Sequence, residues 1–144
     1  VTPKIKIYPM KRVLFLLSMF LVLNSCSIND DAEKYHFQLS AVEEAILPDS
    51  FELDGTYEIT LKYYRPSTCH VYDGLYYDKY LNTRTIAIRN VVFERNNCVP
   101  FENELTEVTF NFHVTNNGSY IFKFWKGTDT NGEDIYEEIE IPVI

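Results

Sequence analysis

Hydrophobic and polar side chains alternate along much of the chain beyond residue 50, with the period of two that is typical of half-buried β-strands. The clearest examples are residues 56–64 and residues 105–115, where every second residue is apolar or aromatic. The residues predicted to face inward on these two strands are Tyr57, Ile59, Leu61, Tyr63, Val108, Phe110, Phe112 and Val114. The intervening positions are mostly charged or polar, so each strand is expected to cover a core with one face only.

Turn residues divide the remaining sequence into further short strands. Residues 69–81 are rich in tyrosine around Asp73-Gly74 and predict either a strand with a bulge or a tight hairpin. Residues 83–94 predict a strand with a kink at Arg89-Asn90, where the inward face is expected to change.

The C-terminal third predicts two successive hairpins. Asn117-Gly118 predicts a hairpin turn with positive φ at both central positions. The returning strand would face inward through Tyr120, Phe122 and Phe124. Asn131-Gly132 then predicts the tip of a second hairpin, which leads into the last strand.

About seven short strands with regular turns predict an all-β fold, a two-sheet antiparallel sandwich. Residues 35–47 fit either a helical turn or an edge strand. A small lipocalin-like β-barrel is the alternative architecture, because it too is built from successive hairpins.

The segment Gly118-Ser119-Tyr120-Ile121-Phe122-Lys123-Phe124-Trp125, with the turn that follows it, resembles the closing hairpin of Ig-like domains in secreted bacterial proteins. The whole chain resembles small Bacteroidota lipoproteins with Ig-like folds, which implies an Ig-like sandwich over residues 35–144. It departs from immunoglobulin domains proper, which place two cysteines on facing strands with a tryptophan between them. Here Cys69 and Cys98 flank predicted loops, and Trp125 follows both.

The N-terminal region carries an uninterrupted apolar run from Val13 to Leu23 behind Lys11 and Arg12. A run of this length is too short to span a bilayer, which takes about 20 residues, and it matches the secretory signal pattern. Leu23-Asn24-Ser25-Cys26 resembles the bacterial lipobox. The resemblance implies that residues 1–25, an upstream extension plus a signal peptide starting at Met10, are removed and that Cys26 carries the lipid.

Residues 26–34 are polar and acidic and predict a flexible tether between the lipid and the domain. Acidic residues directly after the lipidated cysteine resemble the surface-export signal of Bacteroidota lipoproteins. This resemblance implies a place at the outer membrane, with the cell surface favoured over the periplasmic face.

Charge and cysteine content follow from this processing. Removal of Lys4, Lys6, Lys11 and Arg12 leaves nine basic residues against 21 acidic ones, a formal charge of −12. Such a chain is not expected to bind nucleic acid. With Cys26 lipidated, Cys69 and Cys98 form an even pair in an oxidising compartment, for which a disulfide is favoured over two free thiols or a metal pair.

Candidate chemistry is sparse, so a non-catalytic protein without a metal or cofactor is expected. Residues 129–134 resemble a calcium loop, but their glycine and acidic spacing differ from those of an EF-hand, and a plain hairpin turn is favoured. The tyrosines Tyr72, Tyr76, Tyr77 and Tyr80 predict either a contact surface for a protein or glycan or ordinary strand packing. The alternative functions are a lipocalin-like carrier and an accessory hydrolase with paired acidic residues.

Overall fold

The computed structural model describes residues 2–3 and 32–144, and residues Glu33–Ile144 form one compact unit. The predicted lipidation site Cys26, the whole of the predicted signal peptide from Met10 to Ser25 and residues 26–31 of the predicted tether lie outside the described residues. Eight strands follow one another along the unit: β1 (Tyr35–Ser40), β2 (Glu44–Ile46), β3 (Thr56–Tyr64), β4 (His70–Tyr80), β5 (Thr83–Phe93), β6 (Leu105–His113), β7 (Tyr120–Thr128) and β8 (Asp134–Ile141). No helix occurs among these described residues.

The strands form two sheets, which confirms the predicted all-β sandwich. One sheet has three strands in the order β2-β3-β6, and the other has five. All pairs are antiparallel except β5 with β7, which run parallel. The lipocalin-like barrel is wrong, because the two sheets remain separate and do not close on each other.

The five-stranded sheet is built around β5. β4 pairs with β5 from Thr83 to Val92 and so occupies one of its edges. The other edge is shared, because β7 pairs with Thr83–Ile86 and β1 pairs with Ile88–Phe93. β8 lies outside β7. Two strands therefore meet end to end along one edge of β5.

The core lies between the two sheets and is formed by the alternate residues that the sequence pattern predicts, together with residues from the connections. Its buried members are Val42, Phe51, Ile59, Leu61, Tyr63, Ile86, Ile88, Phe112, Val114, Tyr120, Phe122, Phe124 and Ile141. The ring of Phe112 in one sheet lies 5.0 Å from that of Tyr120 and 5.1 Å from that of Phe122 in the other. Edge-to-face contacts of this kind add to the stabilisation that comes from burial.

Arg84 is a buried cation at one end of this core, with only 2% of its surface exposed. Its guanidinium carbon lies 5.0 Å from the ring centre of Tyr120 and 5.8 Å from that of Phe112. Nη1 donates hydrogen bonds to the carbonyls of Leu81 at 2.8 Å and Thr83 at 2.9 Å. Aromatic faces and carbonyl oxygens thus stabilise its charge.

Two local predictions are wrong. β5 keeps one inward face along its length, with Ile86, Ile88 and Asn90 all buried, so the inward face does not change at Arg89-Asn90. The irregularity lies instead in β4, where a bulge between Tyr72 and Gly74 disturbs the pairing with β5. This bulge confirms the first of the two interpretations of residues 69–81.

The second wrong prediction is that the Asn117-Gly118 turn closes a hairpin. It does not close a hairpin, because β6 pairs with β3 while β7 pairs with β5 and β8. Only Gly118 has a positive φ, of 89°. The turn instead carries the chain from one sheet to the other. The second predicted hairpin, between β7 and β8 with Asn131-Gly132 in its turn, is confirmed.

Residues 35–47 form strands β1 and β2 rather than a helical turn. Two residues just before β1, Glu33 and Lys34, also contact the domain. The backbone N–H of Glu94 donates to the carbonyl of Lys34 at 2.9 Å, and Arg95 forms a two-point ion pair with Glu33. The last two residues of the predicted tether are therefore attached to the chain that follows β5.

Candidate functional site

A cavity of about 250 Å³ opens on the outer face of the five-stranded sheet. Its lining comes from β1, β4, β5, β7 and β8 and consists of Leu39, Tyr76, Thr85, Ala87, Trp125, Asp134 and Tyr136. All seven residues lie on regular strands, so the sheet itself builds this site. Sites on strands are held more rigidly than sites on loops.

The cavity lies where β5 changes its partner. The pairing of β5 with β7 ends at Ile86, opposite Phe124, and its pairing with β1 begins at Ile88, opposite Ser40. Ala87 lies between these two positions and lines the cavity. Beyond the end of β1, the backbone N–H of Val42 donates to the carbonyl of Trp125 in β7 at 2.9 Å. The residue at which β5 changes its partner thus has a small side chain, which leaves the space open.

Three aromatic side chains form the walls. Tyr76 pairs with Ala87 across β4 and β5, and Trp125 pairs with Tyr136 across β7 and β8. Because directly paired residues share a face of the sheet, the three rings form a row that crosses the strands. Tyr76 is 47% exposed and offers its ring to solvent.

Asp134 holds two of these rings in place. The indole Nε1–H of Trp125 donates to one carboxylate oxygen at 2.8 Å, and the hydroxyl of Tyr136 lies 3.4 Å from the other. Burial, followed by the negative charge of Asp134, raises the pKa of the Tyr136 phenol. Nζ of Lys123 lies 4.9 Å from the centre of the Tyr136 ring. Contacts within the protein thus fix the orientation of the Trp125 and Tyr136 rings.

The arrangement can stack an apolar ligand face against aromatic rings and bind hydroxyl groups at its edge. The remaining lone pairs of the Asp134 carboxylate can accept hydrogen bonds, and the hydroxyl of Thr85 can donate or accept one. Aromatic walls with a few convergent polar groups are typical of small-ligand sites.

The four predicted contact tyrosines do not form one surface. Tyr76 lines the cavity, and Tyr80 lies on the same face beyond it with 71% of its surface exposed. Tyr72 and Tyr77 pair with Asn90 and Ile86, which lie on the inward face of β5, and so they lie on the opposite face of the strand. The ring of Tyr77 packs edge-on against Phe110 at 6.2 Å.

The sequence pointed to one of the seven lining residues, Tyr76, and not to Leu39, Thr85, Ala87, Trp125, Asp134 and Tyr136. One signal was available for Trp125, the only tryptophan of the chain. Since Tyr120, Phe122 and Phe124 were predicted to face inward, the alternation placed Trp125 on the outer face, where a large aromatic residue needs an explanation.

The predicted Cys69–Cys98 disulfide is present, with 5.4 Å between the two Cα atoms. It joins the connection between β3 and β4 to that between β5 and β6, and therefore links loops rather than facing core strands. The two connections also share a β-bridge between Ser67 and Pro100 and a hydrogen bond from the N–H of Phe101 to the carbonyl of Pro66 at 3.0 Å.

His70 lies beside this bridge. Its Nδ1 is 2.7 Å from the hydroxyl oxygen of Ser67, and its Nε2 is 3.2 Å from Oε1 of Gln38. The amide oxygen can only accept, which assigns the ring proton to Nε2 and makes Nδ1 an acceptor. Burial is the main cause of a lowered pKa at His70, followed by the positive charges of His36 and Arg65. The fold therefore favours the neutral imidazole.

Residues 129–134, where a plain hairpin turn was favoured over a calcium loop, include a turn that is closed by its own hydrogen bonds. Oδ1 of Asp129 accepts hydrogen bonds from the backbone N–H groups of Asn131 at 2.8 Å and Glu133 at 2.9 Å. These donors lower the pKa of the Asp129 carboxyl. Within the described part of the chain, no group of three or more His, Cys, Asp or Glu side chains is placed to hold a metal ion.

Two further findings bear on function. Among the residues that the structure describes, no helix is long and apolar enough to cross a membrane. Comparison of the chain with protein-family models, with curated proteins and with solved structures finds no match.

Proposed function

We propose that this protein is a non-catalytic, lipid-anchored module that binds an uncharged glycan on the outer face of its five-stranded sheet. The observation that carries the proposal is the cavity, where Tyr76, Trp125 and Tyr136 surround the methyl group of Ala87 and Asp134 supplies a hydrogen-bond acceptor. The Ig-like sandwich is the rigid frame that presents these side chains.

A saccharide fits this chemistry better than other small ligands. A sugar ring has C–H groups on its faces and hydroxyl groups around its edge, so it needs aromatic walls and polar groups together. The face of an aromatic ring carries negative potential and attracts C–H groups. The strong negative charge of the mature chain also disfavours anionic ligands.

Binding is supported over glycoside hydrolysis by the number of carboxylates in the cavity. Hydrolysis by the common mechanisms requires two carboxyl groups about 5–9.5 Å apart across the scissile bond. Asp134 is the single carboxylate among the seven lining residues, and the Trp125 indole already donates a hydrogen bond to it.

The proposed location rests on Cys26. Two or three acyl chains on this residue would suffice for stable anchoring. We expect mass spectrometry of the N-terminal peptide to find lipid on Cys26, and protease added to intact cells to remove the domain if it faces outward. An N-terminal peptide that carries no lipid would contradict the lipid anchor but would leave the glycan site untouched.

Binding is tested with the purified full chain and a panel of neutral polysaccharides: xylan, mannan, galactan, an α-glucan and a β-glucan. Because Trp125 is the only tryptophan, intrinsic fluorescence reports directly on the cavity wall. We expect at least one polymer to change the emission in a saturable way. Emission that none of the polymers changes would contradict the proposal.

Two variants compare tyrosines on the same strand and face. Tyr76→Ala removes a cavity wall, and an aromatic anchor of this kind contributes about 2 kcal/mol, so the affinity should fall about 30-fold. Tyr80→Ala removes a more exposed ring outside the cavity and should change the affinity less than about twofold. Equal effects of the two substitutions would place the ligand elsewhere.

A further inference from the structure

A row of apolar side chains leaves the cavity along β1. Tyr35, Phe37 and Leu39 alternate on the outer face of this strand, with exposed fractions of 57%, 59% and 38%. Leu39 is itself part of the cavity wall. The cavity therefore continues into an exposed aromatic surface on the same sheet.

Phe37 has polar neighbours arranged around its ring. The guanidinium carbon of Arg89 lies 5.5 Å from the ring centre, and Nε of Arg89 donates to the carboxylate of Asp73 at 2.8 Å. Asp73 lies in the bulge of β4, between the two residues where the register with β5 shifts. The bulge thus brings a carboxylate to the side chain that covers Phe37.

This cluster repeats the chemistry of the cavity. In both places an aromatic ring lies beside a carboxylate whose position is fixed by a hydrogen bond from a neighbouring side chain, Trp125 in the cavity and Arg89 here. The two clusters lie along the same face of the sheet, because Phe37 pairs with Val91, four residues beyond Ala87 on β5, a separation of about 13 Å. A ligand that contacts both clusters must therefore be longer than a disaccharide.

We propose that Phe37, Arg89 and Asp73 form a second sugar subsite, continuous with the cavity through Leu39, so that the ligand is an extended oligosaccharide chain. This inference rests on the proposed function. The occupant is uncharged, because the Arg89–Asp73 pair is neutral as a whole and offers both donors and acceptors to hydroxyl groups. A charged ligand would have to separate that pair.

The experiment measures affinity against ligand length. Oligosaccharides of two to six units, cut from the polymer that binds, are titrated into the full chain with Trp125 fluorescence as the readout. We expect affinity to rise by about tenfold or more from the shortest to the longest chain. Phe37→Ala should remove most of that rise and leave the affinity for the disaccharide within about twofold.

A control substitution lies on the other sheet. Tyr64→Ala on β3 removes a ring that is 46% exposed and should leave the length dependence unchanged. Unfolding midpoints of both variants establish that they remain folded.

The outcomes separate the two proposals. An affinity that does not depend on length, or a length dependence that Phe37→Ala leaves intact, overturns the second subsite while the cavity still binds sugar. A chain that binds neither the polymers nor the oligosaccharides overturns the proposed function as well. Fluorescence that responds to a protein partner and to no saccharide overturns both.

Discussion

Reduction of the Cys69–Cys98 disulfide is expected to lower the free energy of unfolding of the domain. The length of chain between the two cysteines determines by how much. The two cysteines are 29 residues apart, and the loop between them contains all of β4 and β5. In the chain-entropy description, closing a loop of this length stabilises the folded state by about 3.6 kcal/mol at 25 °C. The unfolded chain regains that entropy when the bridge is reduced.

Denaturation by guanidinium chloride with and without a phosphine reductant measures this loss. For a domain of this size we expect the unfolding midpoint to fall by roughly 1 M. Trp125 lies outside the bridged loop, so its fluorescence follows unfolding of the domain in both states. The double variant Cys69→Ala, Cys98→Ala is the control, since its midpoint should be low in either buffer and insensitive to the reductant. A reduced wild-type protein whose midpoint stays within about 0.2 M of the oxidised value would refute the reasoning.

Four further predictions concern the stability of the fold, each measured by denaturant unfolding. Arg84→Met removes a guanidinium that donates to two carbonyls and stacks between two rings, and should cost about 2 kcal/mol. Gly55→Ala should cost about 1–3 kcal/mol, because a Cβ there would lie 2.9 Å from the carbonyl oxygen of Glu52. The neighbouring Asp54→Gly should be neutral within about 0.5 kcal/mol, since its φ of 64° suits glycine. The pKa of His70 is lower in the folded protein than the unfolded value of about 6.5, so the unfolded state binds a proton at a higher pH than the folded state does. The free energy of unfolding should therefore fall as the pH drops below about 6.5. In His70→Gln this fall should be smaller.

Alternation predicted individual strands well, because a half-buried strand imposes its period on neighbouring residues. The bounds of β3 and the inward rings of β7 follow directly from that pattern. The pairing partner of each strand does not follow from that pattern. The Asn117-Gly118 turn has the local residues of a hairpin, but the contacts of Phe112 with Tyr120 across the core hold β6 and β7 in different sheets. Whether two consecutive strands pair with each other or belong to different sheets therefore depends on contacts with residues far apart in the sequence.

The candidate site shows the same limit. The density of tyrosines in β4 made Tyr76 a candidate contact residue. No local pattern shows that β5 changes its pairing partner at Ala87, or that Asp134 accepts a hydrogen bond from Trp125. The first fact depends on the register of strands that are separated by tens of residues, and the second depends on the register shift between Trp125 and Gly127 in the β7–β8 hairpin. The alternation of β7 predicted that Trp125 lies on an outer face, but it could not predict which side chains surround Trp125.

The shared edge of β5 also has a mechanical consequence. β1 is the first strand of the domain, and its pairs with β5 run in order from Tyr35 opposite Phe93 to Ser40 opposite Ile88. A pull on the chain before Tyr35, directed away from the sheet, would peel these pairs apart one at a time, starting at the end remote from the cavity. Leu39 would detach near the end of that sequence. The cavity would therefore keep its shape under a load that had already opened most of β1, whereas the proposed second subsite at Phe37 would be lost early.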